Sequence, residues 1–251
     1  MRHRRGVHRA GAGDLSQLSH RVTTMKTNRS LVSARWDTEY REGRYADEPP
    51  LPFTEEILAT LRASSLAESK GLYIGCGNGR NYLPLARSGL RLFGLDLSAE
   101  ALRQLAARES VKPARLICAD FREFASQHRF GYVIAIQVLQ HGVAADVSKY
   151  FSRVRSLLSL GGLFFLRVNA ASTQVRWPHT VIERNELGGF TVLYEAGPKR
   201  GLPVHFYARD ELLALTRDGF ALLAEPREDV AVRTPPEAGR WVQWEAIWKR
   251  T

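Results

Sequence analysis

The sequence holds no apolar run near the roughly 18 residues that a membrane-spanning helix requires. Its longest apolar stretches, such as Tyr132–Val133–Ile134–Ala135–Ile136, have the length of buried strands. Cysteine is nearly absent: Cys76 and Cys118 are the only two among 251 residues, too few for a disulfide framework and not spaced as a metal site. A reducing cytoplasm is therefore the expected location. No internal repeat is visible. Apolar residues at 44% and charged residues at 25% are ordinary globular values and exclude a wholly disordered chain, and the length suffices for one sizeable core.

The formal net charge of +10 resembles a nucleic-acid signature until it is located. Residues 1–30 carry seven Lys or Arg and one Asp, so the other 221 residues keep only about +4. That body offers no strong electrostatic footprint for a polyanion. The tail itself is rich in Arg, His, Gly and Ser and has no apolar segment of a secretory signal. It is expected to be disordered or to lie upstream of a start at Met25, with an organellar transit peptide as the alternative. Residues 31–251 are read as a single domain.

From Trp36 onward short apolar runs alternate with amphipathic segments, the pattern of a parallel sheet covered by helices. Helices are predicted over 54–63 (capped by Thr54), 80–88, from Ser98 through Ala106, over 145–159 (ended by Gly161 and Gly162) and over 210–217. Strands are predicted at Gly71–Ile74, Leu90–Leu95, Arg115–Ala119, Tyr132–Val138, Leu163–Val168, Phe220–Glu225 and Val242–Trp248. The expected fold class is α/β: a Rossmann-like, seven-stranded, mostly parallel sheet with helices on both faces and an antiparallel last strand. Residues 170–205, with several Gly and Pro and few clear periods, read as an irregular insertion.

The strongest signal is Gly71-Leu-Tyr-Ile-Gly75-Cys76-Gly77-Asn78-Gly79-Arg80-Asn81, a strand that runs into a glycine-rich turn and then a helix start. Glycine lets a ligand approach the backbone closely, and the N–H groups of a helix start can bind polar ligand atoms. Asp96 follows Gly75 by 21 residues at the end of the second strand, where an acidic side chain can accept both hydroxyls of a ribose. Asp120 ends the third strand on the same edge and is a candidate acceptor for an adenine amino group. A dinucleotide fingerprint would need glycine at 80, where Arg80 stands, so a nicotinamide cofactor is disfavoured.

The segment from Gly71 to about Val168 resembles the class I S-adenosylmethionine-dependent methyltransferases. The run from Gly75 to Asn81 is similar to that of the tellurite-resistance methyltransferase group. Trp36-Asp37-x-x-Tyr40-x-x-Gly43 is similar to the leading segment of that group and of the thiopurine methyltransferases. The resemblance implies S-adenosylmethionine as cofactor. Gly75, Cys76, Gly77, Asn78 and Gly79 would lie around its methionine moiety, Asp96 and Leu97 at the ribose, and Asp120 with Phe121 at the adenine. It implies a small-molecule acceptor. One departure is Gly131 after Phe130, where many relatives are acidic, and residues 170–205 match no family pattern.

Methyl transfer from a sulfonium needs alignment more than acid–base chemistry. A thiol, selenide or telluride acceptor needs no dedicated base. For a hydroxyl or amine, His141 just past the fourth strand is the candidate base, the alternative being a strand-end cap. Gln137 and Gln140 are expected to flank the methionine end. Trp36 and Tyr40, four apart, are a lid over the cofactor or simply helix packing. Arg176, Trp177, His179 and Arg184, with His205 and Tyr207, are candidate acceptor contacts or surface residues; Trp241, Trp244 and Trp248 read as packing. Two other functions stay open: a nucleic-acid methyltransferase served by the basic tail, and a non-catalytic cofactor-binding protein. Against the first stands the lack of an Asn-Pro-Pro-Tyr motif.

Overall fold

The computed structural model of the protein describes residues 31–45, 48–108 and 111–251. The readings made for residues 1–30 lie outside the described residues. A first helix, α1, covers 31–41. It is followed by α2 (Phe53–Ala63), β1 (Lys70–Ile74), α3 (Tyr82–Arg87), β2 (Arg91–Asp96), α4 (Ala99–Ala106), β3 (Leu116–Cys118) and β4 (Phe130–Ile136). Then come α5 (Ala144–Leu157), β5 (Leu158–Asn169), β6 (His179–Arg184), β7 (Phe190–Tyr194), β8 (Pro203–Phe206), α6 (Arg209–Thr216), β9 (Phe220–Val232) and β10 (Arg240–Arg250).

Seven strands form the main sheet in the order β3-β2-β1-β4-β5-β10-β9. β1 to β5 pair in parallel, and β10 inserts antiparallel between β5 and β9. The order reverses between β1 and β4, which opens a crevice at the carboxyl ends of these strands. Side chains alternate across the sheet, as the pleat requires. Leu72, Ile74, Val133, Phe164 and Trp248 face α5 and α6 in one core. Tyr73, Tyr132, Ile134, Phe165 and Ile247 face α2, α3 and α4 in the other. The predicted fold class is thus observed, with helices on both faces. Among the described residues no helix is long and apolar enough to cross a membrane.

Several boundaries differ from the sequence reading. Thr54 does not cap α2; it is buried, and its hydroxyl donates to Asn81 Oδ1 at 3.3 Å. Ser98 does cap α4, its Oγ accepting the Ala101 N–H at 3.0 Å. Gly161 and Gly162 do not end α5. Leu157 and Leu158 are both buried, so the chain passes straight from helix to strand. Phe130 pairs with Leu158 but Tyr132 with Leu163, which makes the intervening residues an excursion of β5, with Gly161 at φ +74°.

The segment 170–205 is not irregular. It carries most of a three-stranded antiparallel sheet, β6-β7-β8. Its period was hard to read because its own core holds only Val192, Tyr194, Val204 and Phe206, while Ile182 and Leu193 are exposed. The glycines there serve the hairpin turns: Gly188, Gly197 and Gly201 all have positive φ. Backbone bonds dock this small sheet on the carboxyl edge of the large one, from His205 N–H to Gln140 O at 2.8 Å and Tyr207 N–H to Asn169 O at 2.9 Å.

Gly71 in β1 lies directly under the fully buried ring of Tyr132, so a Cβ there would sit inside that ring. Gly71→Ala is expected to cost about 1–3 kcal/mol, the range for overpacking a filled core. Urea unfolding followed by tryptophan fluorescence measures it; an unchanged midpoint would mean that Tyr132 can swing aside.

Candidate active site

The turn after β1 depends on glycine at three positions. Gly75, Gly77 and Gly79 have φ of +70°, +54° and +105°, a region that side chains disfavour. There is also no room: a Cβ would come within 2.6 Å of Val138 at Gly75 and 2.5 Å of the Tyr40 hydroxyl at Gly77. The Gly77 N–H donates to Asp96 Oδ2 at 2.8 Å, and the Ser98 N–H donates to Oδ1 at 2.9 Å. A carboxylate has about four lone-pair sites, so two remain for a ligand. Burial pushes the Asp96 carboxyl up, the amides of Ser98, Gly77 and Leu97 pull it back, and the Asp37 carboxylate adds to the rise.

Helix α1 lies across this turn and is tied to α4. Asp37 Oδ1 accepts the Ser98 hydroxyl at 2.5 Å and the Glu100 N–H at 3.1 Å, which places a carboxylate at the α4 N-terminus. The Ser33 hydroxyl donates to Leu97 O at 3.0 Å, and Gln104 Nε2 to Tyr40 O at 2.9 Å. Because 31–41 is helical, Trp36 and Tyr40 share a face. Tyr40 projects over Gly77, and Trp36 meets the His141 ring edge-on, with centroids 5.2 Å apart.

Beyond β4 lies a polar cluster. Gln137 adopts φ +57°, uncommon for a residue with a side chain and often found at functional sites. Its N–H donates to Arg167 O at 2.7 Å and its Nε2 to Gln243 Oε1 at 2.9 Å. Gln243 and Trp241 in turn both donate to Asn169 Oδ1 at 3.1 Å, and Gln140 accepts the Asn169 N–H at 2.9 Å. His141 is half-buried overall, but its Nδ1 is sealed from solvent without a hydrogen-bond partner. Burial, then the nearby Lys199 ammonium, push its imidazole down to about 3, against the opposing Gln137 backbone.

The structure brings Gly75, Cys76, Gly77, Asn78, Gly79, Asp96 and Leu97 together around one turn, while Trp36 lies against His141 beyond β4. Cys76 is buried and its thiol is pushed up, so it acts as a small residue of the turn. Asp120 also lies on this edge, but Arg122 grips it through both oxygens at 2.6–3.1 Å. The Phe121 ring is turned into the core, with Tyr150 at 5.9 Å and the Arg153 guanidinium over its face at 5.8 Å.

Other sequence candidates are committed elsewhere. Arg176 pairs with Glu237 and lies over Trp177, and Arg184 lies over Phe190. His205 is buried between Thr191, at 2.9 Å, and Glu211, at 3.0 Å. Trp248 is packing, stacked on Phe164 at 5.7 Å. Ser33, Asn169, Lys199 and Gln243 were not anticipated, because their relation to the site arises only from long-range contacts. Among the described residues no cluster of His, Cys, Asp or Glu could hold a metal.

Residues 72–162 match a family described as Methyltransferase domain. The chain is 29% identical over 128 residues to the ubiquinone biosynthesis O-methyltransferase of Rhodopseudomonas palustris, covering 45% of this chain and 50% of that protein. It is 33% identical over 149 residues to the Cronobacter sakazakii enzyme of the same name, covering 56% and 58%. The chain thus spans about half the length of the curated relatives it matches. Its fold is similar to Burkholderia thailandensis 1,6-didemethyltoxoflavin-N1-methyltransferase, solved with S-adenosylhomocysteine, at TM-score 0.62, 20% identity and 90% coverage of both chains. It is also similar to Haemophilus influenzae TehB, at TM-score 0.59 and 14% identity, covering 86% of this chain and 67% of that one.

His141 gives a pH prediction. Its ordinary value of 6.5 holds in the unfolded chain and about 3 in the folded one. Between those values the unfolded chain binds a proton that the folded chain does not, so acidification through this window destabilises the fold. Thermal unfolding should therefore lose more stability from pH 7 to pH 4 in the wild type than in His141→Asn. Parallel curves would show that His141 titrates normally.

Proposed function

With residues 72–162 a methyltransferase domain, we propose that the protein transfers a methyl group from S-adenosylmethionine to a small-molecule acceptor. The observation that carries this reading is the Asp96 carboxylate. It is buried at the end of β2 and bonded to the amide of Gly77, with lone pairs left for two ribose hydroxyls. The glycine turn suits the methionine end, because Gly75, Gly77 and Gly79 carry no side chains and the Tyr40 hydroxyl closes directly over Gly77. Leu97 lies next to Asp96 for the ribose, and Asp120, steadied by Arg122, would accept from the adenine amino group, while the Phe121 ring packs in the core and does not flank it.

When bound, S-adenosylmethionine supplies a methyl group on a sulfonium, an activated leaving group. The chain's own residues then have to align the acceptor and exclude water. Trp36 and Tyr40 cover the site from α1, where their π faces favour a cation. Gln137 is fixed by its bonds to Arg167 and Gln243 at the methyl-bearing end. His141 stays neutral, and an imidazole pushed so low holds a proton poorly. Its role in this reading is to orient the acceptor through Nδ1, which suits a nucleophile that needs no strong base. Residues 31–251 act as one methyltransferase unit whose acceptor side is the β6-β7-β8 sheet. The two free cysteines suit a cytoplasmic setting. The nucleic-acid alternative rests on the tail, outside the described residues.

Calorimetric titration of the full chain with S-adenosylmethionine and S-adenosylhomocysteine tests the reading. Micromolar binding is expected, with a loss of about ten-fold or more in Asp96→Ala, whose two vacated amides and lost ribose contact remove charge-assisted hydrogen bonds. Absence of binding to folded protein would overturn it.

A further inference from the structure

Lys199 is a feature of the acceptor side that the cofactor does not account for. It sits in the β7–β8 turn, where the Arg35 guanidinium of α1 bonds the carbonyls of Pro198, at 3.2 Å, and Arg200. That clamp holds the turn carrying Lys199 against α1, with Lys199 near enough to act on the imidazole of His141, the ring that Trp36 meets edge-on. The Lys199 side chain is half-buried and forms no ion pair among the described residues. Glu195, the acid of the same turn, accepts the Thr180 hydroxyl instead, at 2.5 Å. Burial alone pushes the ammonium down to about 8. Next to it, His141 Nδ1 is sealed and unpartnered.

A partly desolvated cation without a partner is costly, and Glu195, the acid of its own turn, is engaged by Thr180. Resting on the methyltransferase reading, the structure assigns Lys199 as the anchor for a carboxylate on the methyl acceptor, with His141 Nδ1 offering a hydrogen bond beside it. A single negative charge suits the site. One ammonium faces it, and Arg35 is already committed to two carbonyls, whereas a phosphate dianion calls for the fork of a free guanidinium or several cations. Trp36 supplies an aromatic wall, so the acceptor is an organic acid with a flat apolar body rather than a small inorganic anion.

Binding to the full chain saturated with S-adenosylhomocysteine tests this assignment. Acetate, benzoate and cinnamate are titrated beside acetamide, benzamide and cinnamamide, with inorganic phosphate as the dianion. At least one carboxylate should bind about ten-fold more tightly than its amide, the difference that one charge-assisted hydrogen bond makes. Lys199→Met should abolish that preference and Lys199→Arg should restore part of it, both keeping wild-type affinity for S-adenosylhomocysteine. A second readout needs no variant: acetic anhydride labels Lys199, read by peptide mass spectrometry, and benzoate but not benzamide should slow the labelling. Equal binding or equal protection by acid and amide, a preference that survives Lys199→Met, or phosphate binding more tightly than every carboxylate would overturn the assignment. If S-adenosylhomocysteine itself does not bind, the methyltransferase reading fails first and takes this inference with it.

Discussion

Asp96 sits where β2 ends, almost wholly shielded from water, and its Oδ2 accepts the Gly77 amide across the mouth of β1. Burying a carboxylate costs several kcal/mol unless hydrogen bonds offset it. The amides of Gly77 and Ser98 offset part of that cost, at about 1.5–3 kcal/mol each for bonds to a charged group. The same carboxylate therefore fixes the glycine turn and the start of α4. Asp37 repeats the device one step outward, bonding Ser98 and Glu100 from α1. The covering helix is thus referred, through two carboxylates, to the end of a single strand.

On the other side of the crevice the site is built from amide side chains. Gln137, Gln243, Asn169 and Gln140 are linked in series with the indole of Trp241. A left-handed backbone at Gln137 costs of order 1–3 kcal/mol. Its N–H bond to Arg167 O and its side-chain bond to Gln243 hold it there. Arg167 itself is buried and paired with Glu245, so β5 and β10 are joined by charge as well as by their ladder. A network satisfied to this degree is rigid. The β6-β7-β8 sheet, whose turn is held by Arg35, docks on the same residues through the His205 amide to Gln140 O and the Tyr207 amide to Asn169 O.

The central fold was legible because its signals are local. The five parallel strands are apolar runs, the Ser98 cap sits three residues before the amide it accepts, and the glycine turn has no room for side chains. Trp248 was recognised as packing for the same reason. The small sheet was not legible: its core amounts to four buried residues, and its strands alternate weakly, with Ile182 and Leu193 left exposed. Gly161 and Gly162 misled because glycine after an amphipathic run signals a helix end. Here buried Leu158 had already begun the next strand.

The sequence by itself determined the parallel sheet, the turn from Gly75 to Gly79 and the acidic ends of β2 and β3. Each depends on residues close in the chain, whose periodicity and steric needs are written in their order. Only the tertiary structure decided that α1 covers the turn, that Gln243 and Asn169 reach Gln137, that Arg122 holds Asp120, and that Lys199 stands unpaired near His141. Those relations, save the short Arg122 contact, join residues tens of positions apart. Their energies come from burial and from partners met only after folding, which no local pattern records.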